Sequence, residues 1–246
     1  MSEGKRLRRP PEGGYARGDE TRRKIIEAAI GLFGQHGFDG ASTRDIAARA
    51  GVNAPALQYY FENKEGLYRA CAESIADESW QAFEPAVLRA REALACNADT
   101  EALIDAFVDI QAAVADRTFV KRHEPDQRLF FAREQGGGEP EIGSEILRER
   151  VRMPLNEINA GLLERITGIA AADPLTVVRM FSLYGQFLLF FIARRSTLTT
   201  LGWDDIDTSK AEFLKANIAE QTRVLLRHWN RERAMNNRDD RANRSR

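Results

Sequence analysis

From Asp19 onward, apolar residues recur three and four positions apart, and no run alternates apolar with polar in the β-branched manner of a strand. Stripes of that kind are buried by packing helix against helix, so the expected fold class is all-α. Of 246 residues, 43% are hydrophobic and 30% charged, which suits a packed interior and not an open chain. Residues 1–18 are the exception: Pro10, Pro11, Gly13, Gly14 and Gly18 stand among charges with little apolar surface to bury, and a flexible basic arm is expected there.

The first helix reads DETRRKIIEAAIGLFGQHG, with Ile25, Ala29, Leu32 and Phe33 at helical spacing and Gly37 as its stop. A second helix is expected from Ser42 to Ala50, with Ser42 and Asp45 as a capping pair and Gly51 as its end. A third covers Ala54 to Tyr60, with Pro55 in its first turn. A fourth opens at Asn63-Lys64-Glu65 and runs towards Trp80. Beyond Pro85, helices are expected near 86–95, 100–116, 125–135, 144–167, 174–195 and 208–234, with GGGEPEIG at 136–143 as a loop. Asp173-Pro174 supplies an N-cap and first-turn proline to the most apolar of these.

Residues 42–61, STRDIAARAGVNAPALQYYF, carry the most information. Two short helices joined at Gly51 would pack through Ile46, Ala47, Ala50, Val52 and Leu57. Glycine suits the joint because it takes positive φ without a Cβ clash, and the alanines let the helices cross closely. This is a helix-turn-helix, in which the second helix is presented to the major groove of DNA.

The wider block from 21 to 68 resembles the N-terminal domain of the TetR family. The matching features are I-x-x-A-A-x-x-L-F-x-x-x-G-F at 25–38, T-x-x-I-A at 43–47, A-G-V at 50–52 and L-x-Y-Y-F-x-x-K-E-x-L at 57–67. Farther on, DQRLFFARE and MPLNEINAGLLERITG resemble the helical domain of a CecR-like subgroup. The resemblance implies a homodimeric transcriptional regulator, a repressor released by ligand, that binds a palindromic operator. It also implies site residues. Thr43 would bond a backbone phosphate from a helix N-terminus, besides capping it; Lys64 and Tyr60 would contact phosphate; and Arg44 would add to them. Base reading falls to Asn53, Ala54, Pro55, Gln58 and Tyr59. Gln58 replaces a common tyrosine and can bond adenine bidentately, while Pro55 replaces a common glycine. Lys5, Arg6, Arg8 and Arg9 of the arm are further candidates for the backbone or minor groove.

The resemblance further implies an effector cavity and a dimer interface in the C-terminal helices. Phe107, Phe130, Phe131, Met153, Phe181, Tyr184 and Phe187 are candidate lining residues, each with core packing as the plainer role. Arg128, Asn159 and Gln186 are candidates to orient a polar group. The expected effector residues are Phe107, Arg128, Phe131, Phe181, Tyr184 and Phe187. Helix 174–195 is apolar nearly all round, and with the last helix it would form a two-fold, four-helix interface. The resulting organisation is an arm at 1–18, a DNA-binding domain at 19–67, an effector and dimerisation domain at 68–234, and a flexible basic tail at 235–246.

Charge agrees with a restricted polyanion surface. Residues 1–70 carry 12 Lys/Arg against 9 Asp/Glu, residues 71–222 carry 16 against 25, and residues 223–246 carry 8 against 3. The expected partners are therefore double-stranded operator DNA, a second copy of the chain and an unknown small-molecule effector. A membrane partner is not expected, since the apolar segment 181–193 is shorter than the ~20 residues a span requires. Two cysteines, Cys71 and Cys96, form no disulfide framework and fit a cytoplasmic location, and no secretory signal opens the chain. No metal, cofactor or catalytic site is expected: His36, His123 and His228 lie on separate helices, the His123-Glu124-x-Asp126 cluster reads as structural or surface, and no phosphate-loop motif occurs. The competing reading is a helical protein-interaction module that keeps the fold without DNA binding, against which stand Thr43, Tyr60 and Lys64.

Overall fold

A computed structural model describes residues 13–120 and 125–244. The arm residues Lys5, Arg6, Arg8 and Arg9, and the pair His123 and Glu124, lie outside the described residues. Among the described residues there is no strand, and the fold is all-α. In chain order the helices are α1 (Gly13–Gly40), α2 (Thr43–Ala50), α3 (Ala54–Tyr60), α4 (Lys64–Ala95), α5 (Thr100–Ala115), α6 (Pro125–Gly136), α7 (Glu141–Leu147), α8 (Met153–Thr167), α9 (Pro174–Ile192), α10 (Arg194–Leu201) and α11 (Thr208–Arg244). π-Helical turns follow α5 (Asp116–Val120) and join α7 to α8 (Arg148–Arg152).

The chain divides into two compact units, the first formed by 1–74 with 125–143 and the second by 75–124 with 144–246. In the first, α1 packs against α2 and α6, and α2 against α3. Its interior is Ile25, Ala29 and Phe33 of α1, Ile46 and Ala47 of α2, Leu57 of α3 and Leu67 and Tyr68 of α4. Tyr68 lies edge-on to Phe33 and Phe38 and stacks on Phe130 of α6, its centroid 5.0 Å away. In the second unit, α5 and α8 pack together and against α11, and α9 joins α8 and α10. Phe107, Ile110, Leu162, Ile166 and Leu183 are buried there, and Phe119, Phe187, Leu214 and Ile218 form an adjoining cluster.

Five features depart from the sequence expectation. α1 begins at Gly13, inside the stretch expected to be an arm, and α11 runs to Arg244, through most of the expected tail. α4 does not stop before Pro85. The buried face Phe83, Ala86, Val87 and Ala90 continues across the proline, whose ring stands in solvent, so apolar burial outweighs the one missing backbone hydrogen bond. The segment α10 carried no strong periodic signal and was not expected. Residues 125–143, placed with the effector domain by their position in the chain, belong to the first unit.

Candidate nucleic-acid interface

Local chemistry fixes the α2–α3 pair at each joint. The Ser42 hydroxyl accepts from the Asp45 N–H at 3.1 Å and donates to the Asp45 carboxylate at 2.6 Å, which starts α2 with its first orphan amides satisfied. Gly51 closes α2 at φ 69°, a conformation that disfavours a Cβ, and the N–H groups of Gly51 and Val52 return to the carbonyls of Ala48 and Ala47. Asn53 then caps α3, its Oδ1 accepting from the Ala56 N–H at 2.9 Å. Asn63 does the same for α4, accepting from the Gly66 N–H at 2.7 Å.

The inner and outer faces of α3 differ sharply. Leu57 is 2% exposed and Tyr59 is 84% exposed. Asn53, Ala54, Pro55 and Gln58 are exposed with Tyr59, and together they form the outward face expected to read bases. Tyr60 is half-buried between Tyr59, in edge contact at 5.2 Å, and Phe61. Thr43 is the first residue of α2 and half-buried, and Arg44 beside it is exposed. Lys64 is the first residue of α4; its ammonium lies 4.5 Å over the Phe38 ring and 3.5 Å from the Asp39 carbonyl. Arg22 of α1, not singled out from the sequence, holds its guanidinium 5.4 Å over the Phe61 ring at the end of α3.

A group of side chains whose contacts were not read from the sequence lies behind this face. Asp126 of α6 accepts from Gln35 Nε2 of α1 at 2.8 Å and from Arg49 Nη2 of α2 at 2.6 Å. Arg133 donates to the carbonyls of Gly34 and Gln35, at 2.8 and 2.9 Å, where α1 is interrupted at Gly37 (φ 75°). Glu139 accepts from the Phe38 N–H at 2.8 Å. The one sequence signal for this seat was the glycine series Gly31, Gly34 and Gly37 along the first helix.

The expected effector residues are not all brought together. Phe107, Tyr184 and Phe187 meet in the second unit, with ring centroids 5.9 and 6.2 Å apart along the series. Phe181 does not join them; it lies on the outer face of α9 and is 57% exposed. Arg128 and Phe131 sit on α6 in the first unit, as does the buried Phe130, and Met153 is exposed at the start of α8. Around the three aromatic rings lie polar groups with no complete set of partners. Asn159 and Gln111 are buried, and their amide nitrogens donate to the carbonyls of Leu155 and Leu183, which leaves Asn159 Oδ1 and Gln111 Oε1 unmatched. Gln186 repeats the pattern on Leu183. The Tyr184 hydroxyl has Asn159 as a polar neighbour without a well-formed hydrogen bond, and burial pushes its pKa up, so it stays a neutral phenol. A cavity of about 20 Å³, lined by Val108, Gln111, Phe187 and Lys215 among others, adjoins these groups.

The apolar helix α9 is not enclosed on every side within one chain. Leu175, Val178, Phe181 and Leu189 are exposed along it, as are Phe213 and Val224 on α11. No helix among the described residues is long and apolar enough to cross a membrane. Burial pushes the Cys71 thiol up, so it remains protonated, and Cys96 is a free, exposed cysteine.

Comparison with known proteins agrees with this arrangement. Residues 25–71 match the model of the bacterial regulatory proteins of the tetR family, and residues 100–228 match the C-terminal domain of the HTH-type transcriptional dual regulator CecR. The dual regulator CecR of Shigella flexneri is 30% identical over 214 residues, covering 85% of this chain and 93% of that protein. In structure the chain is similar to AibR, solved in complex with isovaleryl coenzyme A and operator DNA, with a TM-score of 0.59 at 17% identity over 82% of this chain and 97% of that one. It is also similar to a TetR-family regulator from Mesorhizobium loti MAFF303099, with a TM-score of 0.55 at 18% identity over 85% of this chain and 96% of that one. At such identities these two likenesses speak for the fold alone. The family matches and the Shigella relative carry the rest: the chain belongs to the TetR family of bacterial regulatory proteins, with a C-terminal domain of the CecR type, and is a DNA-binding transcriptional regulator and not an enzyme.

Proposed function

We propose that the protein is a ligand-released repressor that binds a palindromic operator as a homodimer. The observation that carries this reading is the polarity of α3, which buries Leu57 and turns Gln58 and Tyr59 outward on a helix held rigid at both ends by caps. Asn53, Ala54, Pro55, Gln58 and Tyr59 read base edges, and Thr43, Arg44, Tyr60 and Lys64 hold the sugar-phosphate chain. The exposed apolar faces of α9 and α11 are the surfaces that two copies bury against each other. Two-fold symmetry then sets two α3 helices into successive major grooves.

Phe107, Tyr184 and Phe187, with the unmatched oxygens of Gln111, Asn159 and Gln186, form the effector site. A hole of about 20 Å³ holds little more than one water, so an effector enters only as the surrounding helices part. Ligand therefore favours a more open form, and operator affinity falls by the difference in binding free energy between the two forms.

The test is a salt-dependent gel shift with duplex from the protein's own upstream region. Lys64→Ala is expected to weaken binding to every sequence and to reduce the salt slope by about 1, whereas Gln58→Ala alters base preference at one position of each half-site. Parental behaviour in both variants would remove this set of contacts.

A further inference from the structure

We infer that Asp126 is a positioning residue for DNA reading: by holding Arg49 and Gln35 at once it sets the angle of the α2–α3 pair on α1. Operator affinity then depends on a carboxylate that lies outside the helix pair and within the stretch whose sequence matches the CecR C-terminal domain. The inference rests on α3 being the DNA-reading helix.

Asp126 is 7% exposed, so its charge has left water and is matched by protein groups instead. Its two oxygens serve different helices: Oδ1 takes the Gln35 amide of α1, and Oδ2 takes the Arg49 guanidinium at the C-terminal end of α2. That end leads through Gly51 directly into α3, so a small rotation there is carried to the base-reading face. The apolar contacts of Ile46 and Ala47 hold α2 on α1 but are non-directional, whereas a charge-assisted hydrogen bond fixes an angle.

The seat of α6 is equally specific. A Cβ on Gly34 would collide with the Asp126 carbonyl oxygen and lie 3.0 Å from the Phe130 nitrogen, both backbone atoms that have no side-chain freedom to yield. A Cβ on Gly31 would fall 2.6 Å from Asp126 Oδ2 and 2.7 Å from Arg49 Nη2, into the ion pair itself. Arg133 on the Gly34 and Gln35 carbonyls and Glu139 on the Phe38 N–H hold the same segment from its other end.

The rival role for Arg49 is a direct phosphate contact, and a double-mutant cycle in the full chain separates the two. Asp126→Asn and Arg49→Gln are each expected to weaken operator binding about tenfold with the salt slope unchanged, and the double variant to be no weaker than either single one. Arg49 is half-exposed at a helix end, so its variant keeps the fold should the Asp126 variant lose it. Amide hydrogen exchange across 43–60 gives a readout that needs no DNA: both single variants should exchange faster there. An Arg49→Gln effect that lowers the salt slope by about 1, adds to that of Asp126→Asn and leaves exchange unchanged would overturn the inference. Faster exchange with no duplex bound by the parent protein would instead leave Asp126 as a support of the α2–α3 pair, and would remove the reading of α3 and with it the role in DNA reading.

Discussion

At the crossing of α1, α2 and α6 in the first unit, each charged group drawn beneath the surface meets a partner, while in the second unit buried polar atoms of Gln111, Arg117, Asn159, Gln186 and Thr222 have no hydrogen-bond partner among the described residues. Both units are helical and both have close-packed apolar interiors, so composition does not separate them. The difference fits what the proposed function asks of each. A surface that reads bases has to hold its side chains to a fraction of an ångström, and matched polar contacts supply that rigidity. A site that admits a small molecule keeps donors and acceptors in reserve and gives up stability for it.

The strongest challenge to this contrast is Gly34→Ala. With backbone on the far side of the new methyl group, the α1–α6 crossing has to open, and a loss of about 3 kcal/mol is expected together with loss of operator binding. Thermal denaturation and gel shift check it together; a variant as stable as the parent would mean the crossing is looser than described. A change of opposite sign sharpens the other half. Arg117 has both terminal nitrogens buried and unmatched, and burial draws its pKa down against the opposing charge of Glu78. Arg117→Met should therefore raise stability by about 1 kcal/mol, or roughly 2–4 °C in Tm by calorimetry. A fall in Tm would show that the guanidinium is satisfied in the native protein and that the contrast is overstated there.

Much of the first unit was legible in the sequence because its signals are local. Ser42, Gly51, Asn53 and Asn63 each act on backbone within five residues, and each stands where a cap or a turn demands that residue type. Asp126 was legible only as part of an acidic cluster with His123 and Glu124, because its partners Gln35 and Arg49 lie 91 and 77 residues away and no periodicity links them. The glycines at 31, 34 and 37 were a faint trace of a helix seated against α1, but they did not say which helix. In the second unit, apolar spacing foretold helices without their contacts. It therefore named as effector residues Phe107, Tyr184 and Phe187, whose rings meet, together with Phe181, which faces outward, and Arg128 and Phe131, which belong to the other unit. Pro85 misled for a related reason: the residue that forbids a backbone hydrogen bond is visible in sequence, whereas the buried face that carries the helix across it is not.

The claim on which the account turns is that two copies of α3 enter DNA side by side. Hydroxyl-radical footprinting of the full chain on duplex from its own upstream region measures this directly. Two protected patches centred about 34 Å apart, one helical turn, are predicted. Uniform protection along the duplex, or none at low ionic strength, would contradict it.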